Sequence, residues 1–182
     1  MIKEIIYIII RMITAPEVSW RKLSADKNHA YFLNRYLYPI FGIIALTSFI
    51  GGLWVMPDGD TQMALKNTII NLTTVYAGYY IGSYILNEFL LRFGASKNQA
   101  EVQQFVGYAS SLIYALFIIL PFFSDFFVLW LFAFYTAYIV YIGYGIYIVG
   151  KEETRMSFTG IATALILLTP AIIKIILSFL IN

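Results

Sequence analysis

The chain has 182 residues, of which 60% are apolar and 12% are charged, against about 25% charged in soluble domains. Its net charge of +2 is small and its basic residues are scattered, which excludes the basic patch of a nucleic-acid-binding protein. It contains no cysteine, so disulfides and thiolate metal sites are excluded as well. This composition is typical of an integral membrane protein with little room for a soluble domain.

The chain begins with a predicted cytoplasmic segment, residues 1–35, that contains two amphipathic elements. Residues 1–13 are predicted to form a helix, because Lys3, Tyr7 and Arg11 recur every four residues and isoleucines occupy the other side. Such a helix either lies in the headgroup plane of a membrane or packs against the end of a helical bundle, and the sequence leaves both open.

A second short helix is predicted to follow. Thr14 and Glu17 have the spacing of a capping box, which indicates a helix start. Trp20 lies between charged residues, and an amphipathic ring of this kind is favoured at a membrane interface.

Five apolar stretches come next, and each is about long enough to cross a hydrocarbon core ~30 Å thick as a helix. They predict an all-α fold in which residues 36–182 form a bundle of five transmembrane helices. The predicted spans are residues 36–56, 65–91, 104–123, 126–149 and 158–181.

The positions of the basic residues predict the orientation of this bundle, since Lys and Arg in short loops favour the cytoplasmic side. Ten of the 12 lie in residues 1–35 or in the gaps after the second and fourth stretches, and Lys66 and Lys174 are the exceptions. We therefore predict a bacterial inner (cytoplasmic) membrane protein with a cytoplasmic N-terminus and an external C-terminus.

Small residues at four-residue spacing predict the faces on which the helices pack, because they let two backbones approach closely in lipid. The candidate packing residues are Gly78 and Gly82 in the second stretch, Gly107 in the third and Gly160 in the fifth. Packing within one chain and a homodimer through Gly78 and Gly82 are both open. The homodimer hypothesis predicts that leucine at Gly78 abolishes the dimer and leaves a folded monomer.

Polar side chains inside the stretches are the first candidates for function. Asn87 and Glu88 lie near the end of the second stretch, and Glu88 is expected to pair with Arg92 four residues later. Lys174 follows Pro170 by one turn and is expected to extend toward the membrane surface. A transporter would need a polar path, and its available members are Asn71, Tyr79, Asn87, Glu88 and Tyr138.

The sequence contains no recognisable motif for catalysis or for a cofactor. His29 is the only histidine, so a transition-metal site cannot be assembled. A phosphate-binding loop, a nucleophile elbow and a zinc-protease helix are also missing. We therefore expect a protein that is not an enzyme, with no catalytic residue, cofactor or metal ion.

Three segments resemble the Yip domain family. Residues 16–20 have the Pro-x-x-x-Trp pattern of its entry segment, Gly107 and Tyr108 resemble the start of its Gly-Tyr…Pro motif, and residues 141–147 resemble its Tyr…Gly stretch before the last helix. The resemblance covers nearly the whole chain. It implies a multi-pass membrane protein of the family's prokaryotic branch, with five spans and a cytoplasmic N-terminus.

The family takes its name from proteins that bind Ypt/Rab GTPases, but this chain departs from the eukaryotic pattern. Its Asp-Leu-x-Gly-Pro element is absent, and Pro121 comes thirteen residues after Tyr108. A Rab-type GTPase is therefore not expected as a partner, and neither is nucleic acid. The expected partners are the lipid bilayer and either further copies of the chain or other membrane proteins.

Two functions are consistent with these observations. The first is a non-enzymatic scaffold or membrane-organising protein, which predicts an interior closed by glycine and aromatic packing. The alternative is a small transporter or channel subunit, which predicts a ligand-sized cavity near the middle of the membrane.

Overall fold

The computed structural model describes residues 2–55, 60–123 and 133–180, and these are helical almost throughout, with no strand among them. The predicted all-α class is thereby confirmed. The predicted link after the third stretch and the start of the fourth, residues 124–132, lie outside the described residues. The α-helices described are α1 Ile2–Thr14, α2 Pro16–Ala25, α3 His29–Phe32, α4 Tyr38–Val55, α5 Thr61–Phe89, α6 Gln99–Ala109, α7 Ser111–Ile119, α8 Tyr135–Gly143 and α9 Arg155–Leu180.

Helix α3 continues into α4 through one π-helical turn, Leu33–Leu37. Pro39 accounts for the wider turn, because it has no N–H and its ring crowds the carbonyl one turn earlier. The Tyr38 N–H accordingly bonds to the carbonyl of Leu33, five residues back. The predicted boundary at residues 35 and 36 falls inside this continuous helix.

Among the described residues, two helices are long and apolar enough to cross a membrane, His29–Trp54 and Glu152–Leu180. The pair Gln99–Ala109 and Ser111–Phe122 would make a third if it forms one span bent by 47°. Helix α5 has 29 residues, but polar side chains such as Lys66 and Asn71 lower its hydropathy. The described residues therefore support a membrane protein with two or three spans, and five spans remain a prediction.

Two adjacent serines lie at the bend between α6 and α7. The hydroxyl of Ser110 donates to the carbonyl of Val106 at 2.7 Å, and that of Ser111 donates to the carbonyl of Tyr108 at 2.5 Å. Serine hydroxyls that bond back to the preceding turn are known to bend helices. The bend turns α7 away from the axis of α6.

Helix α5 lies at the centre of the bundle, with α4 and α9 packed along it. The first two helices, joined at Ala15, form the N-terminal hairpin (residues 2–25), which packs against α6, α7 and α8. Ile5, Ile9 and Met12 of α1 are buried in this contact. Helix α1 therefore packs against the bundle, and it also keeps a second isoleucine row, Ile2, Ile6 and Ile10, exposed.

The predicted capping box is wrong. Helix α2 begins at Pro16 without a side-chain cap, and the hydroxyl of Thr14 bonds back to the carbonyl of Ile10 at 2.8 Å. Proline at the first position of a helix needs no N–H partner and has the required φ. The proline therefore replaces the cap that was expected from Thr14 and Glu17.

Candidate functional site

Trp20 joins the N-terminal hairpin to the rest of the bundle. Its side chain is fully buried, its Nε1–H donates to the carbonyl of Ile139 at 3.0 Å, and its ring stacks on Phe105 with centroids 5.1 Å apart. Gly143 leaves room for the ring, because a Cβ there would lie 2.6 Å from Trp20 Cε2. Trp20 is therefore an internal anchor and not the membrane-interface residue that the sequence suggested.

A polar cluster lies where the hairpin leads into α3. Lys27 forms an ion pair with Glu101, and its ammonium also donates to the carbonyl of Tyr147 at 3.0 Å. The same ammonium lies 4.5 Å from the centroid of the Tyr147 ring, and the hydroxyl of Tyr147 donates to Gln104 Oε1 at 3.0 Å. The polar groups of this cluster satisfy one another, which rigidifies the end of the bundle.

The hydroxyl of Tyr144 connects two further segments at this end. It lies 3.1 Å from the carbonyl oxygens of both Phe93 and Lys151 and 2.7 Å from the hydroxyl of Thr154. The N–H of Lys151 also donates to the carbonyl of Phe93, at 3.3 Å. We call the end where Lys27, Phe93, Glu101, Tyr147 and Lys151 meet the basic junction. It joins residues 1–35 to the gaps after the second and fourth apolar stretches, the three segments that the basic residues predicted to lie on one side of the membrane.

The candidate members of a polar path lie apart from one another. Asn71 donates to the Ser48 hydroxyl at 3.2 Å between α5 and α4, whereas the Tyr79 hydroxyl donates to the carbonyl of Gln103 at 3.2 Å between α5 and α6. Tyr138 is 48% exposed on the outside of α8. The side chains therefore do not line one common passage.

The remaining polar candidates lie near the end of α5. Asn87 is buried, and its Oδ1 has no hydrogen-bond partner among the described residues. Glu88 pairs with Lys97, and the expected pair with Arg92 is wrong. The guanidinium of Arg92 instead lies 5.0 Å from the Phe89 ring centroid. The chain tightens into a 3₁₀ turn at Leu90–Phe93, which moves Arg92 off the regular four-residue spacing.

Lys174 does not extend freely along the outside of α9. Its ammonium lies 5.6 Å from the ring centroid of Phe117 on α7, within the range of a cation–π contact. The sequence indicated only a snorkelling side chain, because the partner ring comes from another helix. Lys174 thus links α9 to α7.

The interior beside Tyr79 is closely packed. The cavity lined by Gly78, Tyr79, Tyr114 and Pro170 has a volume of about 10 Å³. That is roughly the space that one water needs, whereas small-molecule pockets span about 300–1,000 Å³. This part of the bundle therefore has no room for a transported solute.

The four candidate packing glycines have different surroundings. A Cβ at Gly78 would lie 2.7 Å from Pro170 Cγ, and a Cβ at Gly107 would overlap the ring of Phe32. At Gly82 the nearest atom would be at an ordinary 3.7 Å, on Leu165. Gly160 is exposed, and in the part of the chain that the structure describes no neighbouring atom lies within 4 Å of such a Cβ, so the structure gives its predicted packing role no support.

The contacts of Gly78 are also relevant to the homodimer hypothesis. Its open face is occupied by Pro170 of the same chain, so this face is not available to a second copy. Pro170 itself lies inside α9, which continues through it without interruption. The helix pair α5–α9 is therefore held by a glycine and a proline within one chain.

Sequence reasoning missed several residues of the basic junction and of the Trp20 anchor. Lys27 and Glu101 are 74 positions apart, and no local pattern connects them. Gly143 had a usable signal, since it lies in the Tyr–Gly stretch that resembles the Yip domain family, but it was not recognised as a packing residue.

These features define a membrane protein whose described residues are helical, with two or three helices long and apolar enough to span a bilayer. The family model of the Yip1 domain matches residues 10–180, nearly the whole chain, and the protein belongs to this family. The predicted membership of the Yip domain family is thereby confirmed. Neither the curated proteins nor the solved structures include a significant match.

Proposed function

We propose that the protein is a non-enzymatic scaffold or membrane-organising protein that acts by packing against other membrane proteins or further copies of itself. The observation that carries this proposal is the closed interior. Gly107 and Gly143 pack against aromatic rings, Gly78 packs against Pro170, and the cavity beside Tyr79 holds only about 10 Å³. A transporter or channel would need a polar path, and its candidate side chains lie apart.

The surface of α9 offers the contact face. From Thr169 onward its large apolar side chains are mostly uncovered, including Ile175 and Phe179. Lipid provides no hydrophobic drive between helices, so such a face binds a partner through van der Waals packing. The partner is therefore expected to be another transmembrane helix.

A photo-reactive amino acid placed on this face tests the proposal in native membranes. At Ile175 or Phe179 it should yield a cross-linked species of discrete mass, whereas the same group at the buried Ile166 should yield none. The scaffold proposal fails if the exposed positions give only lipid adducts. Mass spectrometry of the cross-linked band distinguishes a second copy from another membrane protein.

We further propose five spans in a bacterial inner membrane, with the basic junction on the cytoplasmic side. Two contacts support this arrangement, because segments on opposite sides of a membrane cannot touch. Lys27 of residues 1–35 pairs with Glu101 in the gap after the second stretch, and the Lys151 N–H in the gap after the fourth donates to the carbonyl of Phe93 in the gap after the second. Reporter fusions at Lys97 and after Asn182 are expected to give opposite signals, as the positive-inside rule predicts. Matching signals would refute the proposed orientation.

A further inference from the structure

A cavity of about 280 Å³ lies between the two helices of the N-terminal hairpin. Helix α1 contributes Glu4 and Arg11 to its lining, and α2 and the residue after it contribute Lys22 and Asp26. Tyr108 of α6 also lines it, although only 3% of that residue is exposed. None of these groups belongs to the closed interior beside Tyr79 or to the basic junction, so the cavity is a separate feature.

Both signs of charge line this cavity without neutralising each other. Among the described residues, no ion pair joins either Glu4 or Asp26 to either Arg11 or Lys22. Glu4 accepts a hydrogen bond from the Tyr31 hydroxyl, and Arg11 Nε donates to the Tyr7 hydroxyl at 3.0 Å. In the part of the chain that the structure describes, the side chains of Lys22 and Asp26 form neither an ion pair nor a hydrogen bond.

The hairpin separates these charges along its length, because the hydrogen bond of Glu4 with Tyr31 brings the start of α1 to the residues that follow α2. Glu4 at the start of α1 and Asp26 just after α2 lie toward the open end, whereas Arg11 is about 10 Å further along α1, toward the turn. Lys22 lies one turn inside Asp26. A ligand that carries a cation and an anion a short distance apart can therefore satisfy both ends, and a ligand of one sign meets repulsion at one of them.

The tyrosine side chains favour an ammonium group as the cation. Tyr31 and Tyr108 line the cavity, and aromatic rings attract cations over their faces. The hydroxyl of Tyr108 has no hydrogen-bond partner among the residues described. Arginine and lysine are the usual partners of phosphate. The anionic group of the ligand is therefore expected to be a phosphate bound by Arg11 and Lys22.

The position of the hairpin points to a lipid as the source of this ligand. The turn of the hairpin lies beside the start of α8, where the Tyr135 hydroxyl donates to the carbonyl of Ile13 at 3.0 Å. The open end lies at the basic junction, where Lys27 contacts Tyr147. That residue lies in the π-helical turn Tyr144–Ile148 that continues α8, about 18 Å along the chain from Tyr135. With the basic junction at a membrane surface, as proposed above, the acidic end faces water and the basic end faces the bilayer.

That is the order of groups in an aminophospholipid, whose ammonium lies outside its phosphate and whose chains lie deepest. The cavity is slightly below the usual range of ligand pockets, about 300–1,000 Å³, so it suits a head group without the chains. The exposed isoleucine row of α1, Ile2, Ile6 and Ile10, offers an apolar surface for the chains. We propose that the cavity between α1 and α2 binds the zwitterionic head group of an aminophospholipid.

Calorimetric titration of the purified full chain in dodecyl maltoside tests this proposal. Dihexanoyl phosphatidylethanolamine is expected to bind saturably, dihexanoyl phosphatidylglycerol about tenfold more weakly, and free phosphoethanolamine more weakly than the lipid. Equal binding of the two lipids by the natural chain would overturn the zwitterion assignment. Equal binding of free phosphoethanolamine would overturn the lipid source.

Two exposed substitutions locate the site. Lys22→Gln and Asp26→Asn should each weaken binding of the phosphatidylethanolamine about tenfold, and Asp26→Asn should also narrow the preference over phosphatidylglycerol. The matched controls Lys3→Gln and Glu153→Gln remove exposed charges outside the cavity and should bind as the natural chain does. Unchanged binding in both cavity variants would overturn the site. The titration uses micelles and needs no partner protein, so its outcome is independent of the scaffold proposal.

Discussion

Replacing Trp20 with alanine is expected to release the N-terminal hairpin from the bundle and to lower the free energy of unfolding by about 3–5 kcal/mol, the usual cost of removing a buried tryptophan. The side chain is fully buried and stacks on Phe105, and its Nε1–H bonds to the carbonyl of Ile139. Its loss leaves a cavity at the contact between α2, α6 and α8. Denaturation in mixed micelles measures the loss in free energy of unfolding. Trypsin cleavage after Arg21 and Lys22 measures the release of the hairpin.

Two further variants make this prediction specific. Val18→Ala changes an exposed residue on the same helix and should alter stability by no more than about 0.5 kcal/mol. Trp20→Phe keeps an aromatic ring but loses the N–H donor. Its stability should therefore lie between those of Trp20→Ala and Val18→Ala. If Trp20→Ala is as stable and as trypsin-resistant as Val18→Ala, the hairpin is not held by this anchor.

Leucine at Gly78 is expected to prevent a stable fold of the single chain, in contrast to the homodimer hypothesis. Even the first added atom, the Cβ, would lie 2.7 Å from Pro170 Cγ and 3.1 Å from its Cα, so α5 and α9 would have to separate. Overpacking of a filled contact costs about 1–3 kcal/mol or more, and these two helices form the centre of the bundle. Yield of monodisperse protein and thermal stability in micelles measure the loss.

The chain offers a matched control and a rescue for this substitution. Gly160→Leu gains the same helix propensity, but a Cβ there meets no atom within 4 Å, so it should be tolerated. In the milder pair, Pro170→Ala should recover part of the stability lost by Gly78→Ala, because it removes Cγ, the atom nearest to the added Cβ. A folded Gly78→Leu monomer, with only a dimer lost, would show that Gly78 faces a second copy.

Local patterns in the sequence predicted the helices well. Isoleucine periodicity gave α1 within one residue at each end, at Ile2–Thr14 against a predicted 1–13. Apolar stretches located α4, α5 and α9. The spacing of Thr14 and Glu17 predicts a capping box that the structure does not have, because Pro16 fits the first turn of α2 without a cap.

Contacts between helices could not be read from the same patterns. Gly78 and Gly160 share the four-residue spacing of small residues, yet one meets a proline and the other is exposed. Spacing shows which residues could permit close packing, but the partner helix decides which of them do. The pairing of Lys27 with Glu101 likewise depends on how α2 lies against α6, which no local pattern contains.

The most direct test of a closed interior is thiol accessibility along α5. The chain has no cysteine, so a single-cysteine variant carries one thiol. Thr74→Cys and Ser83→Cys place it at fully buried positions, and Lys97→Cys places it in the exposed link between α5 and α6. In native membranes, a water-soluble maleimide should label Lys97→Cys readily and leave the two buried positions unlabelled. Comparable labelling of all three would reveal a water-filled path through the bundle and would contradict the scaffold proposal in favour of a transporter or channel.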